Sequence, residues 1–274
     1  IKACFGFDSI VGNYASPETP GSAYVLLHHV FGEVDGEKGA WGHAVGGMGS
    51  ITQLMKSACE EKGVEISTNA PVDKILIKNN KANGVMLEDG TQIFADKVIS
   101  NLNPKLLFKK LVDENEIEQE YRRKILNYKC GSGTFRMNVA LSELPDFNCL
   151  PGKEISEHHK SGIVISPTLT YMDQAFTDAK QYGWSKNPIV EMLIPSTVDS
   201  TLAPEGKHVA SLFCQQFAPT LPNNKSWHDE KTNAANTIIE TLNQFAPNFK
   251  ESILGMSILS PLDLEEKLGL IGGD

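Results

Sequence analysis

The sequence predicts a mixed α/β (α+β) chain in which a compact helix-and-hairpin segment adjoins a larger, mostly antiparallel sheet backed by helices. Three observations carry this. Residues 45–104 pass from a glycine turn through one amphipathic helical stretch into short β-rich runs separated by tight-turn residues. From Thr134 the apolar period drops to two, with Phe135, Met137, Val139 and Leu141 alternating as in a half-buried strand. Residues 226–245 place Ile238, Ile239, Leu242 and Phe245 on one face of a long helix.

In chain order, residues 1–12 and 22–31 are expected to be helices. Between them lies Ser16-Pro17-Glu18-Thr19-Pro20-Gly21, where two prolines and a glycine interrupt helical backbone. Residues 32–47, punctuated by glycine, read as a loop. In the next helix Ile51, Leu54, Met55, Ala58 and Cys59 fall at i, i+3, i+4, i+7 and i+8; Ser50 and Gln53 have capping-box spacing, and Lys62-Gly63 is a stop. A short strand is expected after Gly63, then a β-rich run over Val72, Ile75, Leu76 and Ile77 that residues 79–84 break. Val85-Met86-Leu87 before Asp89-Gly90 predicts a further strand and a tight hairpin turn, and a last apolar strand ends at Ser100-Asn101. Residues 105–112, 116–128 and 171–182 read as helices, and 188–195 and 208–219 as strands that complete an antiparallel sheet.

Composition removes several function classes. The 274 residues suffice for one large or two ordinary domains, and 41% hydrophobic with 22% charged is ordinary globular usage. With 25 basic against 34 acidic residues, a net charge of -9 argues against nucleic acid or anionic membrane as the default partner. No apolar run approaches the roughly 18 residues that span a bilayer, and residues 1–12 lack the layout of a signal peptide. The five cysteines are scattered and never paired as C-x-x-C, which predicts reduced thiols, an intracellular setting and no dithiol chemistry. His28-His29 and His158-His159 are adjacent pairs whose side chains diverge, so no metal site is expected. Ser22 lacks G-x-S-x-G and His208 stands near no signature, so no hydrolase triad is expected. The acidic cluster from Asp113 to Glu120 reads as a solvated helix start. Gly47-Met48-Gly49 and Gly131-Ser132-Gly133 have Thr52 and Arg136 where a third glycine would complete a dinucleotide turn, and both read as plain turns.

In sequence, the glycine pair Gly46-Gly47, the G-V-E stretch at Gly63, the V-x-x-I run from Val72, the G-V-x-L-x-D-G run from Gly84 and the A-D-x-V-I-S-N run from Ala95 resemble one known pattern. It is the return segment of FAD-dependent oxidoreductases in the amine oxidase and phytoene desaturase superfamily. Residues 17–33 (PETPGSAYVLLHHVFGE) and 261–274 (PLDLEEKLGLIGGD) look like its phytoene-dehydrogenase-related branch.

The resemblance implies a domain plan: residues 1–44 as the helical part of a substrate domain with an active-site loop, 45–102 as a retained segment of an FAD-binding domain, and 103–274 as the substrate domain. It implies a middle piece of a longer flavoprotein, since the N-terminal G-x-G-x-x-G turn and the C-terminal flavin strip of the family are not found in this sequence. The implied cofactor is FAD, held by the longer protein and bound little or not at all by these residues alone. The implied reaction is hydride abstraction from a hydrophobic or amine-type substrate, with reoxidation by oxygen, a quinone or another acceptor; the chain by itself would be inactive. By the same resemblance Gly46 and Gly47 approach the flavin, the Val72 backbone meets the adenine, and Asn101 ends a strand at the cofactor. Trp41 and His43 are the candidates for pocket lining or proton handling. An apolar groove in residues 103–270 should open toward residues 41–48. Expected partners are a small hydrophobic substrate and a further copy of the chain in a homo-oligomer; the expected compartment is the cytoplasm, or the mitochondrion in a eukaryote. The alternative function is a non-catalytic flavoprotein-like scaffold acting through partner binding.

Overall fold

The computed structural model describes residues 1–29, 31 and 33–274, with backbone alone for His28. Residues 30 and 32 lie outside the described residues. The end of the expected 22–31 helix and the start of the expected 32–47 loop fall there, and the His28 side chain of the discounted histidine pair is likewise outside.

The N-terminal part forms helices α1 (Lys2–Asp8) and α2 (Ala23–His28), then a two-residue ladder of β1 (Glu33–Val34) and β2 (Glu37–Lys38). Helix α3 (Gly49–Glu61) forms where the apolar spacing places it, and Lys62 ends it ahead of Gly63 at φ +76°. The expected capping box does not form: the helix starts at Gly49, upstream of Ser50, whose hydroxyl instead donates to the Gly47 carbonyl at 2.8 Å. Nothing described covers the apolar face of α3, and Leu54 and Met55 are 71% and 62% exposed.

Strands β3 (Val72–Lys78), β4 (Lys81–Leu87) and β5 (Gln92–Phe94) form a three-stranded antiparallel sheet. The first turn is Asn79-Asn80, both at positive φ, which asparagine tolerates, so β4 begins earlier than the expected Val85. Gly84 pairs with Leu76 on one side and Phe94 on the other. A Cβ there would lie 2.3 Å from the Ile93 carbonyl oxygen, which accounts for glycine in mid-strand. Two expected strands are corrected. Residues 64–71 and 95–101 form none, and Ile99 is 94% exposed. A strand exists only as one side of a ladder, and among the described residues each stretch reaches the sheet only at its end, Pro71 accepting from the Glu88 amide and the Ala95 amide donating to Asn83, both at 3.0 Å. Short helix α4 (Pro104–Leu106), capped by Asn103, and helix α5 (Gln119–Asn127) flank this sheet. Between them Ile75, Ile77, Leu107, Phe108 and Tyr121 line a groove of about 480 Å³.

The larger part follows in order as β6 (Phe135–Leu141), β7 (Ile163–Ile165), α6 (Leu169–Tyr182), β8 (Trp184–Leu193), β9 (His208–Phe217), α7 (Trp227–Phe245), α8 (Phe249–Ser252), β10 (Ile253–Leu259) and α9 (Pro261–Leu268). Five of these elements make one antiparallel sheet, ordered β10-β6-β9-β8-β7. Strands β7 and β10 and helix α9 were not expected. The first is three residues long, the second carries Gly255 and Ser257, and the third depends on a cap, with Ser260 and Asp263 closing a capping box. Phe135, Met137, Val139 and Leu141 point to one face with Ala210, Leu212, Val190 and Met192. There they pack against Ile238, Ile239 and Leu242 of α7, forming the main core. On the other face, α1 and α6 cover one end, where Phe7, Ile10, Met172 and Ala175 bury Ile189. Buried Gln215 and Gln216 fasten the turn after α1 to the sheet by donating to the carbonyls of Ile10, Asn13 and Ala15.

Candidate functional site

Alternation in β6 sends Arg136, Asn138 and Ala140 to the face opposite α7, and the register sets them beside Phe213, Ser211 and Val209 of β9. One row across the sheet therefore reads Leu259, Arg136, Phe213, Glu191, Val164. Asn138 and Ala140 are exposed and Arg136, Ser211, Phe213 and Glu191 half-buried, so beyond the reach of α1 and α6 this face is open. The Arg136 guanidinium lies 5.1 Å from the centre of the Phe213 ring and donates to Ser211 Oγ at 3.3 Å. Burial raises the Glu191 carboxyl above the usual carboxylate range, Arg136 opposes that, Asp8 adds to it and His29 opposes it, which sets α1 and α2 at the border of the same surface.

Residues 41–48 form a second border. Trp41 is 79% exposed and stacks on His29 with ring centres 6.2 Å apart, so it lines no enclosed pocket among the described residues. His43 Nε2 lies 3.6 Å from Asp199 Oδ2, and the same oxygen accepts the Gly46 N–H at 2.7 Å. Asp199 caps the single turn Ser200–Leu202 beyond β8, accepting from the Thr201 amide and hydroxyl at 3.0 and 2.6 Å. Those two Thr201 contacts, then the Gly46 amide and His43, hold the Asp199 carboxyl down to about 2, so it is a fixed anion near neutral pH. Gly46 and Gly47 have φ of +84° and +82°, and a Cβ on Gly47 would stand 3.3 Å from Leu202. The loop is thus latched to the turn after β8, and its position follows from the larger sheet.

The expected site residues therefore divide. His43, Gly46 and Gly47 come together around Asp199, and Trp41 stands beside His29. Val72 begins β3 opposite Leu87, and Asn101 is exposed in the coil before α4. No hydrogen bond or ion pair among the described residues joins either to the loop. Asp199, Arg136 and Glu191 were missed. Asp199-Ser200-Thr201 is an N-cap signature, and Arg136 and Asn138 are polar positions at period two in a strand whose other face is core, so both signals were present in the sequence. Among the described residues no three His, Cys, Asp or Glu side chains cluster to hold a metal, and all five cysteines are free.

Comparison with known proteins gives three findings. Residues 3–134 match the family described as flavin containing amine oxidoreductase. The whole chain is 37% identical over 280 residues to pyridine nucleotide-disulfide oxidoreductase domain-containing protein 2 of Rattus norvegicus, covering 48% of it, and 24% identical over 271 residues to a lycopene-forming phytoene desaturase of Pseudescherichia vulneris, covering 98% of this chain and 51% of that protein. The chain thus spans about half the length of these relatives. In fold it is similar to an oxidoreductase from Methanosarcina mazei, with a TM-score of 0.64 at 19% identity over 94% of this chain and 52% of that one.

Proposed function

We propose, from the match of residues 3–134 to the flavin containing amine oxidoreductase family and the likeness of the whole chain to the relatives above, that this chain carries the substrate-facing part of an FAD-dependent oxidoreductase. Residues 103–274 with 1–44 are the substrate domain in this reading, and 45–102 belong with the flavin domain. The observation that carries it is the five-stranded sheet closed by α7 on one face and open on the other, with the latched loop at its border. Such a face needs a second wall to become a water-poor pocket.

The residues present fit one portion of the cofactor. Consecutive glycines at positive φ leave bare backbone at an exposed position, where a planar ring can lie close. They do not fit the pyrophosphate, for which no G-x-G-x-x-G turn leads from a strand into a helix among the described residues. Bound FAD would supply the hydride acceptor. This chain's own part is to hold the loop through Asp199, to present His43, its Nε2 turned to Asp199, as a proton carrier at Nδ1, and to orient substrate on the open sheet face. A second reading, a scaffold without turnover, draws on the exposed Leu54, Met55, Phe94 and Ile99, which suit a protein partner. One experiment separates them: absorbance of the purified full-length protein in the flavin bands, then anaerobic bleaching with hydrophobic and amine substrates. Flavin present and bleached supports the enzyme; flavin absent, or never reduced by any substrate, supports the scaffold.

A further inference from the structure

We propose that the open face of the five-stranded sheet binds the carboxylate of an otherwise apolar ligand, with Arg136 as the anchor and the Phe213 ring beside it. This rests on reading that face as the substrate side.

Arg136 is the second residue of β6, the strand next to the sheet edge, and faces the open side. Among the described residues no carboxylate lies within 4.0 Å of it, and its single hydrogen bond goes to the neutral Ser211 hydroxyl at 3.3 Å. Five N–H donors in a rigid fork are thereby left largely to solvent. A planar carboxylate matches that fork with two parallel charge-assisted bonds. Glu191 does not already play this part, because the register places Phe213 between the two. Among the described residues no hydrogen bond or ion pair joins the two side chains.

The neighbouring surface describes the rest of the ligand. Val164 pairs with Glu191 and Leu193 with Ser211, so both lie on this face, and they are 39% and 48% exposed. A chain or ring running from Arg136 across Phe213 toward these residues buries apolar area at both ends. A pure hydrocarbon would strip water from the guanidinium and return no bond, which is unfavourable. An amine would meet the Arg136 charge in the same row.

The test is calorimetric titration of the full-length protein with decanoate, decanol and decylamine, each below its micelle concentration. Decanoate is expected to bind at least about tenfold more tightly than the other two, a difference within reach of a charge-assisted pair. Arg136→Met should bring decanoate down to the level of decanol, with flavin content and circular dichroism unchanged. Should Arg136→Met fail to fold, Arg136→Lys, which keeps the charge without the fork, should show a reduced preference. Equal binding of decanoate and decanol to the wild type, tightest binding of decylamine, no binding of any probe, or an Arg136→Met protein that keeps the preference would each overturn the proposal. Arg136-dependent decanoate binding by a protein without flavin would leave this proposal standing and remove the oxidoreductase reading.

Discussion

Single residues set the geometry of the loop, and Gly47 is the sharpest case. Its φ of +82° and the 3.3 Å gap between a notional Cβ and Leu202 mean that Gly47→Val introduces backbone strain of about 1–3 kcal/mol and pushes the loop off its anchor. The expected outcome is loss of flavin reduction in the full-length protein while circular dichroism is retained; wild-type flavin content and reduction would remove the loop from the active site. His43→Ala tests the proton carrier, with turnover expected to fall by about 10²-fold with flavin still bound, and an unchanged rate would make His43 a lining residue only. The histidines of the larger core provide a pH prediction. His158 is held below the ordinary histidine value by burial and then by its neighbour His159, whose ring centre is 3.9 Å away, and His208 is lowered by the same two causes in the same order. The folded protein then binds fewer protons here than the unfolded chain. The stability these groups support is complete above the unfolded value of about 6.5 and is lost as pH falls from there toward the depressed folded values. Urea midpoints should therefore drop between pH 7.5 and 5, and His158→Phe should flatten the slope; an unchanged slope in that variant would acquit His158.

At the scale of elements, the two sheets respond differently to substitution. Helix α7 closes the main core, and Ile238, fully buried within it, loses its packing in Ile238→Ala. A cost of about 2–5 kcal/mol is expected in denaturant unfolding, and a cost below 1 kcal/mol would mean the core refills the space. The three-stranded sheet depends on Gly84, where an added Cβ would strike the Ile93 carbonyl. Gly84→Ala should displace β5 and raise amide exchange over residues 92–94 while leaving the five-stranded sheet protected. The elements legible from sequence were those with strong local periodicity: β6, β8, β9, α6 and α7 were expected within a few residues of where they form. Those missed, β1, β2, β7, α8, β10 and α9, are short or depend on a neighbour. The expected strands at 64–71 and 95–101 were legible as β-prone sequence, yet composition cannot supply the partner that a ladder requires.

The whole molecule divides its apolar surface unevenly. The five-stranded sheet buries most of its α7 side, whereas α3 and the coil around Ile99 leave large apolar side chains in solvent. For the 274-residue chain titrated with FAD, no micromolar binding is expected. A single retained backbone contact such as that at Val72 is worth about 1 kcal/mol net, against the roughly 8 kcal/mol of a micromolar complex. Micromolar binding would show that these residues contain the cofactor site.

Local chemistry in the sequence determined the helix at α3, the hairpins with their Asn79-Asn80 and Asp89-Gly90 turns, the alternating strands and the amphipathic α7, because each is dictated by residues within a few positions of one another. The motif order around Gly46 and Val72 likewise carried the resemblance to the flavin containing amine oxidoreductase family that residues 3–134 match. Only the tertiary structure decided which polar residues share a surface. Asp199 reaches Gly46 and His43 across more than 150 positions of chain, and Arg136, Phe213 and Glu191 fall in one row through the pairing of three strands. Local alternation fixes which face each side chain takes, but which strands become neighbours is settled only by the packing of all of them together.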